Sequence, residues 1–534
     1  MRHTRSLPLF ASALCSALLG CHQVPTDASA DLNPVVDVSV DDGVILIPGK
    51  GTNKVALLSP YSALTSVYGQ GVCVPDPSCK TPQGFGLVTF PKVGLSAYLG
   101  TDGDVIDDKA VVLAMWTQDA SIKGPVNVGT TPAEMRAALG PPDNDYGTVQ
   151  AYGKGLSVSV DKNGKIATVA VFAPYTSQKT PPEMLQAEDA PQVTPQTGTW
   201  PRYQLDGEEI DVVDMHLHPG SFGALGAGIA NTLVANVPPF LLPILPAFTN
   251  TVSNPYTPGV GMVAQARRFG FAHIGLLAVW APATVGWYSN TDLSTLLYDA
   301  RNLQRPDGKP LAFGFASIYW SDLMNNTLVA QRCAALESFL MKQGDRIIGI
   351  KLAHPHQGVP LASVATDCVY TLAGRYKKPL AMHTGKTPTP GSLDTVEAYD
   401  PKFLEDKIKR FPSATFILMH VGQGDLRATN SALTLAQNYA NVALELSALG
   451  RPTVLNERGE MAMTMEPQFI NVLAEAKKRN LSDKLIWASD GPQSPGFAAS
   501  YRDRIVAELK NQAYSKDQIK AILAGNFYRI FGMR

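Results

Sequence analysis

Between residues 207 and 534 short apolar runs alternate with longer amphipathic stretches, and this alternation restricts the fold more than any other feature of the chain. The apolar runs are DVVDMHLH (211–218), FAHIGLLAVW (271–280), LAFGFASIYW (311–320), IIGIKLAHPH (347–356), PLAMHTG (379–385), TFILMHVG (415–422), VALELSALG (442–450) and LIWASD (485–490). Runs that are apolar on successive residues read as strands covered on both faces, the environment of a parallel sheet. Helical patterns such as RCAALESFLMKQ, KFLEDKIKR, PQFINVLAEAKKR and YRDRIVAELKNQ fall between them. Eight strands with helices between most of them predict an α/β fold of the closed (β/α)8, TIM-type barrel class. An open doubly wound sheet is the alternative, but no Gly-x-Gly-x-x-Gly follows the first strand.

Residues 36–178 have a different texture, rich in Gly, Val and Thr with short alternating runs, and predict a smaller α+β domain. An internal repeat is visible there, about 43–118 and 124–176. VALLSPYSALTSVYG (55–69) matches VNVGTTPAEMRAALG (126–140), and FGLVTFPKVGLSAYL (85–99) matches YGTVQAYGKGLSVSV (146–160). Each copy reads as a Ser/Thr-capped helix followed by two or three antiparallel strands, with DKNGK (161–165) as a hairpin turn. Residues 179–206, rich in Pro, Gln and Thr, read as a linker into the barrel at 207–534.

The chain begins with Arg2 and Arg5, an apolar stretch, and then Leu18-Leu19-Gly20-Cys21, which reads as an export signal over 1–20. Its ending resembles the lipobox of bacterial lipoproteins. That resemblance implies cleavage before Cys21, acylation of Cys21, a polar tether over 21–35, and attachment to the bacterial cell envelope, with His22 pointing to the outer membrane. In an exported chain the four cysteines that follow Cys21, an even number, favour disulfides. Cys73 and Cys79 bracket a turn-rich loop; Cys333 and Cys368 sit in successive helical patterns and could bridge them or stay as buried thiols. With 45 Lys+Arg against 46 Asp+Glu and no long run of one sign, nothing indicates a nucleic-acid partner.

Of nine histidines, seven lie between 216 and 420. His216 and His218 are two apart in an extended run, so both imidazoles leave one face and can reach one ion. In a barrel of this class the site forms where the strands end. His216 and His218 end the first strand, Lys351 lies on the fourth, His383 ends the fifth, His420 the sixth and Asp490 the eighth. Imidazoles with a carboxylate suit Zn²⁺ or a similar divalent ion.

This ordered set resembles the amidohydrolase superfamily, in particular the amidohydrolase-related proteins of amidohydrolase family 2, over about 207–534, including ILAGNFYRIFG (522–532) as a closing helix. The resemblance implies a metal-dependent hydrolase. His216, His218, His383 and Asp490 would bind metal, and Asp490 and His420 would be catalytic. Activated water would cleave an amide, ester or lactone of a small, apolar substrate. With two ions, Lys351 (carboxylated) and His420 would also be ligands; with one, Lys351 would pair with a carboxylate or touch substrate. A metal-dependent nonoxidative decarboxylase and a non-catalytic envelope scaffold are the alternatives.

His354 and His356, on a loop past the fourth strand, are candidates for substrate contact. His273 is expected to be a core residue, and Glu445 and Asp425 are candidates for orienting the ligands. The apolar, Pro-interrupted insertion 219–248 is expected to be a lid or a contact with the N-terminal domain.

Overall fold

The computed structural model describes residues 43–74, 76–175, 200–236, 242–303, 305, 307–320, 325–387, 389, 391–423, 425–449, 451–455, 461–464, 467–491 and 495–533. The export signal, Cys21, the tether and most of the linker lie outside the described residues.

In the N-terminal domain each repeat supplies one α-helix and, to a common sheet, four strands rather than two or three; the first also holds the small ribbon Leu46–Ile47 with Gly51–Thr52. The first has helix α1 (Tyr61–Tyr68) and strands β1 (Val72–Val74), β2 (Phe85–Phe90), β3 (Leu95–Gly100) and β4 (Val111–Thr117). The second has α2 (Pro132–Leu139), β5 (Asn144–Asp145), β6 (Val149–Tyr152), β7 (Leu156–Val160) and β8 (Ile166–Phe172). Thr131 caps α2 in a reciprocal box with Glu134, whereas α1 starts at Pro60 without a side-chain cap, contrary to the expected Ser/Thr cap. The strands join one antiparallel sheet in the order β1-β2-β3-β4-β8-β7-β6-β5, so that the last strands of the two repeats meet at its centre.

Period-two alternation sends one set of side chains to each face of this sheet. Ala97, Leu99, Val169 and Val171 pack with Leu64 and Met135 of the two helices. Tyr98, Ala170 and Phe172 face the other way and pack on the insertion, which forms helices α3 (Ala227–Asn236) and α4 (Leu245–Ser253). The two units approach at backbone distance here: a Cβ on Gly100 would lie 2.4 Å from the Pro258 carbonyl oxygen.

The barrel strands are β9 (Val213–Leu217), β10 (His273–Leu277), β11 (Ala312–Ser317), β12 (Ile347–Leu352), β13 (Leu380–Gly385), β14 (Phe416–Gln423), β15 (Val442–Glu445) and β16 (Leu485–Ile486), all parallel and in sequential order. Closure comes just beyond β16, where Leu217 pairs with Gly491; the His218 amide donates to the Gly491 carbonyl at 2.7 Å, and the Gly491 amide to the His216 carbonyl at 3.2 Å. Met215, Leu277, Phe315, Ala381 and Met419 fill the interior, and Phe527 of the closing helix packs with them. Phe315 has room because β12 carries Gly349, whose Cβ would stand 2.6 Å from its ring. Cys333 and Cys368, on helices α5 (Asn326–Gln343) and α6 (Asp367–Tyr376), are disulfide-bonded, as are Cys73 and Cys79.

Candidate active site

Two register shifts turn histidines towards the mouth of the barrel. Pairing along β9 and β10 runs Asp214 to Ile274 and then Leu217 to Leu276, which inserts one extra residue in β9. Interior Met215 is thus followed directly by His216, which also reaches the site. In β14 the register passes from His383–Met419 to Gly385–Gln423, with two extra residues. Those residues, His420 and Val421, have φ of 60° and 47°, and Asp490 has φ 62°. Left-handed backbone at two non-glycine functional candidates costs on the order of 1–3 kcal/mol each, which the surrounding fold must hold.

The resulting cluster is tight. His216 Nε2 lies 2.9 Å from His218 Nε2, 3.1 Å from Asp490 Oδ1 and 3.3 Å from Lys351 Nζ. Asp490 Oδ1 is 3.6 Å from His218 Nε2. Potential ligand atoms of His216, His420 and Asp490 fall within 4.8 Å of one another. The His383 ring lies 4.4 Å from that of His420 and 4.6 Å from that of His356, centroid to centroid.

Behind these groups Glu445 acts as a hub at the end of β15. Its carboxylate accepts from His216 Nδ1 at 3.3 Å, from the His420 amide at 3.0 Å and from the Ser447 hydroxyl at 2.9 Å. Ser447 Oγ also lies 2.9 Å from His420 Nδ1. A Nδ1–H donated to these oxygens leaves the Nε2 lone pairs of His216 and His420 facing the site, the tautomer a metal needs. Asp214 accepts from the Ser489 amide and hydroxyl at 3.0 and 2.6 Å and from the His216 amide at 3.3 Å, tying β9 to the segment that carries Asp490.

Burial governs the charges. Desolvation holds His216, His218, His383 and His420 well below the ordinary imidazole range, so all four are neutral at pH 7. The same cause pulls Lys351 down, against the fields of Asp490 and Glu445, and pushes Asp490 up, against that of Lys351. Lys351 Nζ has Met419 Sδ at 3.1 Å as a further neighbour.

The residues present fit a divalent cation. Two neutral imidazole nitrogens and a carboxylate oxygen converge within one another's contact distance, and buried His383 Nε2 has no hydrogen-bond partner among the described residues. Above them opens a cavity of about 200 Å³, lined by His218, Lys351, His356, His383, His420 and Asp490 at its base.

The other sequence candidates separate. His354 and His356 sit in a one-turn helix, not a loop, because Pro355 fits its first turn. His356 lines the cavity and holds Thr284 Oγ1 at 3.1 Å; His354 is buried outside the lining. Asp425 does not orient the ligands: it caps the helix Leu426–Asn438 through the amides of Arg427 and Ala428. His273 is a core residue, its Nδ1 3.0 Å from the Pro310 carbonyl. Ser447 and Asp214 were not singled out from the sequence, although each stands two residues from a singled-out group, Glu445 and His216, the spacing that shares a strand face.

Residues 332–533 match the sequence profile of the amidohydrolase family. Lys351, His383, His420 and Asp490 fall inside that match; His216 and His218 precede it. No curated protein matches the chain. The chain is similar to solved structures that are distant in sequence. They include a TIM-barrel protein from Bordetella bronchiseptica (13% identity, 60% of this chain and 99% of that one, TM-score 0.42). A dihydroorotase from Campylobacter jejuni follows (16% identity, 61% and 84%, TM-score 0.36). So does a 5-carboxyvanillate decarboxylase from Novosphingobium aromaticivorans complexed with manganese (13% identity, 62% and 99%, TM-score 0.39). At these scores the fold rests on the strand order above.

Proposed function

We propose that the chain is a metal-dependent hydrolase of the amidohydrolase type, acting on an amide, ester or lactone bond of a small apolar substrate. The observation that carries this reading is the convergence of His216 Nε2, His218 Nε2 and Asp490 Oδ1 at the base of the cavity. His216, His218, His383 and Asp490 would hold a divalent ion, Zn²⁺ by the chemistry of the donors, with His420 and Lys351 available to a second. Such an ion supplies Lewis-acid activation, making water nucleophilic at neutral pH.

The chain's own groups do the rest. The Asp490 carboxylate accepts the proton of the attacking water and returns it to the leaving atom. His420, fixed by Ser447 and Glu445, presents Nε2 to the substrate. The apolar walls exclude bulk water. The export signal over 1–20, followed by Cys21, supports the proposal of an envelope-tethered protein.

Asp490→Asn tests the assignment. It keeps the shape but removes the base and weakens a metal donor, so turnover should fall by at least about 10²-fold while the metal-free chain melts as the parent does; a fully active variant takes Asp490 out of the mechanism.

A further inference from the structure

Chain between β9 and β10 is shared by two neighbours. On α3, Ile229 and Leu233 are four residues apart and line the cavity; on α4, Phe248 and Val252 repeat the spacing. Leu233, Phe248 and Val252 belong at the same time to the apolar cluster formed with the N-terminal sheet. The Phe248 ring meets Phe85 at 6.2 Å and 69°, and Tyr98 at 6.1 Å. Ser157 Oγ of β7 donates to the Pro243 carbonyl at 2.5 Å, fixing the turn into α4. Trp287 stands among the other lining residues. Among the described lining residues, every charged or titratable group lies in the cluster at the base; the walls offer Ser, Thr and Gln hydroxyls and amide, and apolar surface.

We infer that the site takes substrates whose portion beyond the scissile bond is uncharged and apolar, an alkyl or aryl acyl group, and that the N-terminal sheet, through Phe85 and Tyr98, sets the wall that holds this group. The inference rests on the hydrolase reading for the position of the scissile bond. Phe85 and Tyr98 do not line the cavity; they are positioning residues that act through Phe248. Among the described residues of the walls a charged terminus on the acyl group would meet no counter-charge, and it would lose its hydration there. An alkyl group would gain with each methylene buried.

The test is calorimetric titration of the zinc-loaded full chain with acetohydroxamate, butyrohydroxamate, hexanohydroxamate and octanohydroxamate, and with the monohydroxamate of succinic acid. The hydroxamate head binds the metal and the tail reads the wall. Affinity should rise about fourfold per methylene through hexanoyl, and the succinyl compound should bind more weakly than the butyryl one. Phe85→Ala should cost octanohydroxamate about tenfold while leaving acetohydroxamate unaltered; Phe85→Leu, a milder change, should fall between. Head-group binding with no dependence on tail length, or succinyl binding as tight as butyryl, overturns the inference and leaves the metal site standing. Binding of none of them overturns the hydrolase reading and this inference with it.

Discussion

Replacing Ser447 with alanine removes one oxygen from the centre of the site and nothing from its lining. That oxygen donates to Glu445 Oε2 at 2.9 Å and faces His420 Nδ1 at 2.9 Å and His216 Nδ1 at 3.4 Å. Without it His420 Nδ1 loses its acceptor in a buried place, and the ring is free to turn or to change tautomer. Leaving such a group unsatisfied costs about 1–3 kcal/mol of folding stability. Ser447 also holds Glu445, the acceptor of His216 Nδ1, and loosening the outer partner of that ligating histidine costs about 10–100-fold in metal affinity, the equivalent of about 1.4–2.8 kcal/mol. Competition for Zn²⁺ with a fluorescent chelator measures the second quantity, and urea unfolding of the metal-free chain measures the first. The reasoning predicts that both fall. A variant that loses stability but binds Zn²⁺ as tightly as the parent refutes the view that Ser447 and Glu445 set the ligand orientation.

Acid should destabilise the metal-free protein through its buried histidines. Desolvation holds His273 down at about 4, and His354 and His356 at about 3. Because the unfolded chain takes up these protons near pH 6.5, stability is full above that value and is lost as pH falls towards the folded-state values. Each should contribute a loss of about 1.4 kcal/mol one unit below the unfolded value. Urea midpoints that do not change between pH 7 and pH 5 would contradict this. For the anchor, Cys21→Ser should move the protein from the membrane fraction to the soluble one, and continued membrane attachment would remove the lipid from the account.

The eight barrel strands were legible because a strand covered on both faces must be apolar along its length, and each such run in the sequence became a strand. Strand order was legible too, since parallel neighbours follow one another around a closed barrel. The ends of β9 and β14 were less so. Alternation places Met419 and His420 on opposite faces, and only the two-residue register shift with left-handed backbone at His420 turns the imidazole inward. Asp425 was misread because a carboxylate near a ligand looks the same in sequence whether it caps a helix or orients an imidazole. In the N-terminal domain the repeat was visible, but the pairing of β4 with β8 that fuses its halves is a contact between distant segments, which no local periodicity reports. The insertion was read as a lid or a domain contact, and its helices in fact serve both neighbours.

The most direct test of the central claim is the metal content of the purified full chain, measured by mass spectrometry after removal of metal, refolding with Zn²⁺ and dialysis. The account predicts retention of about one to two ions per chain, lost when His216 and His218 are both replaced by asparagine in a chain that still melts cooperatively. A parent chain that keeps no ion, or a double variant that keeps as much as the parent, would contradict it.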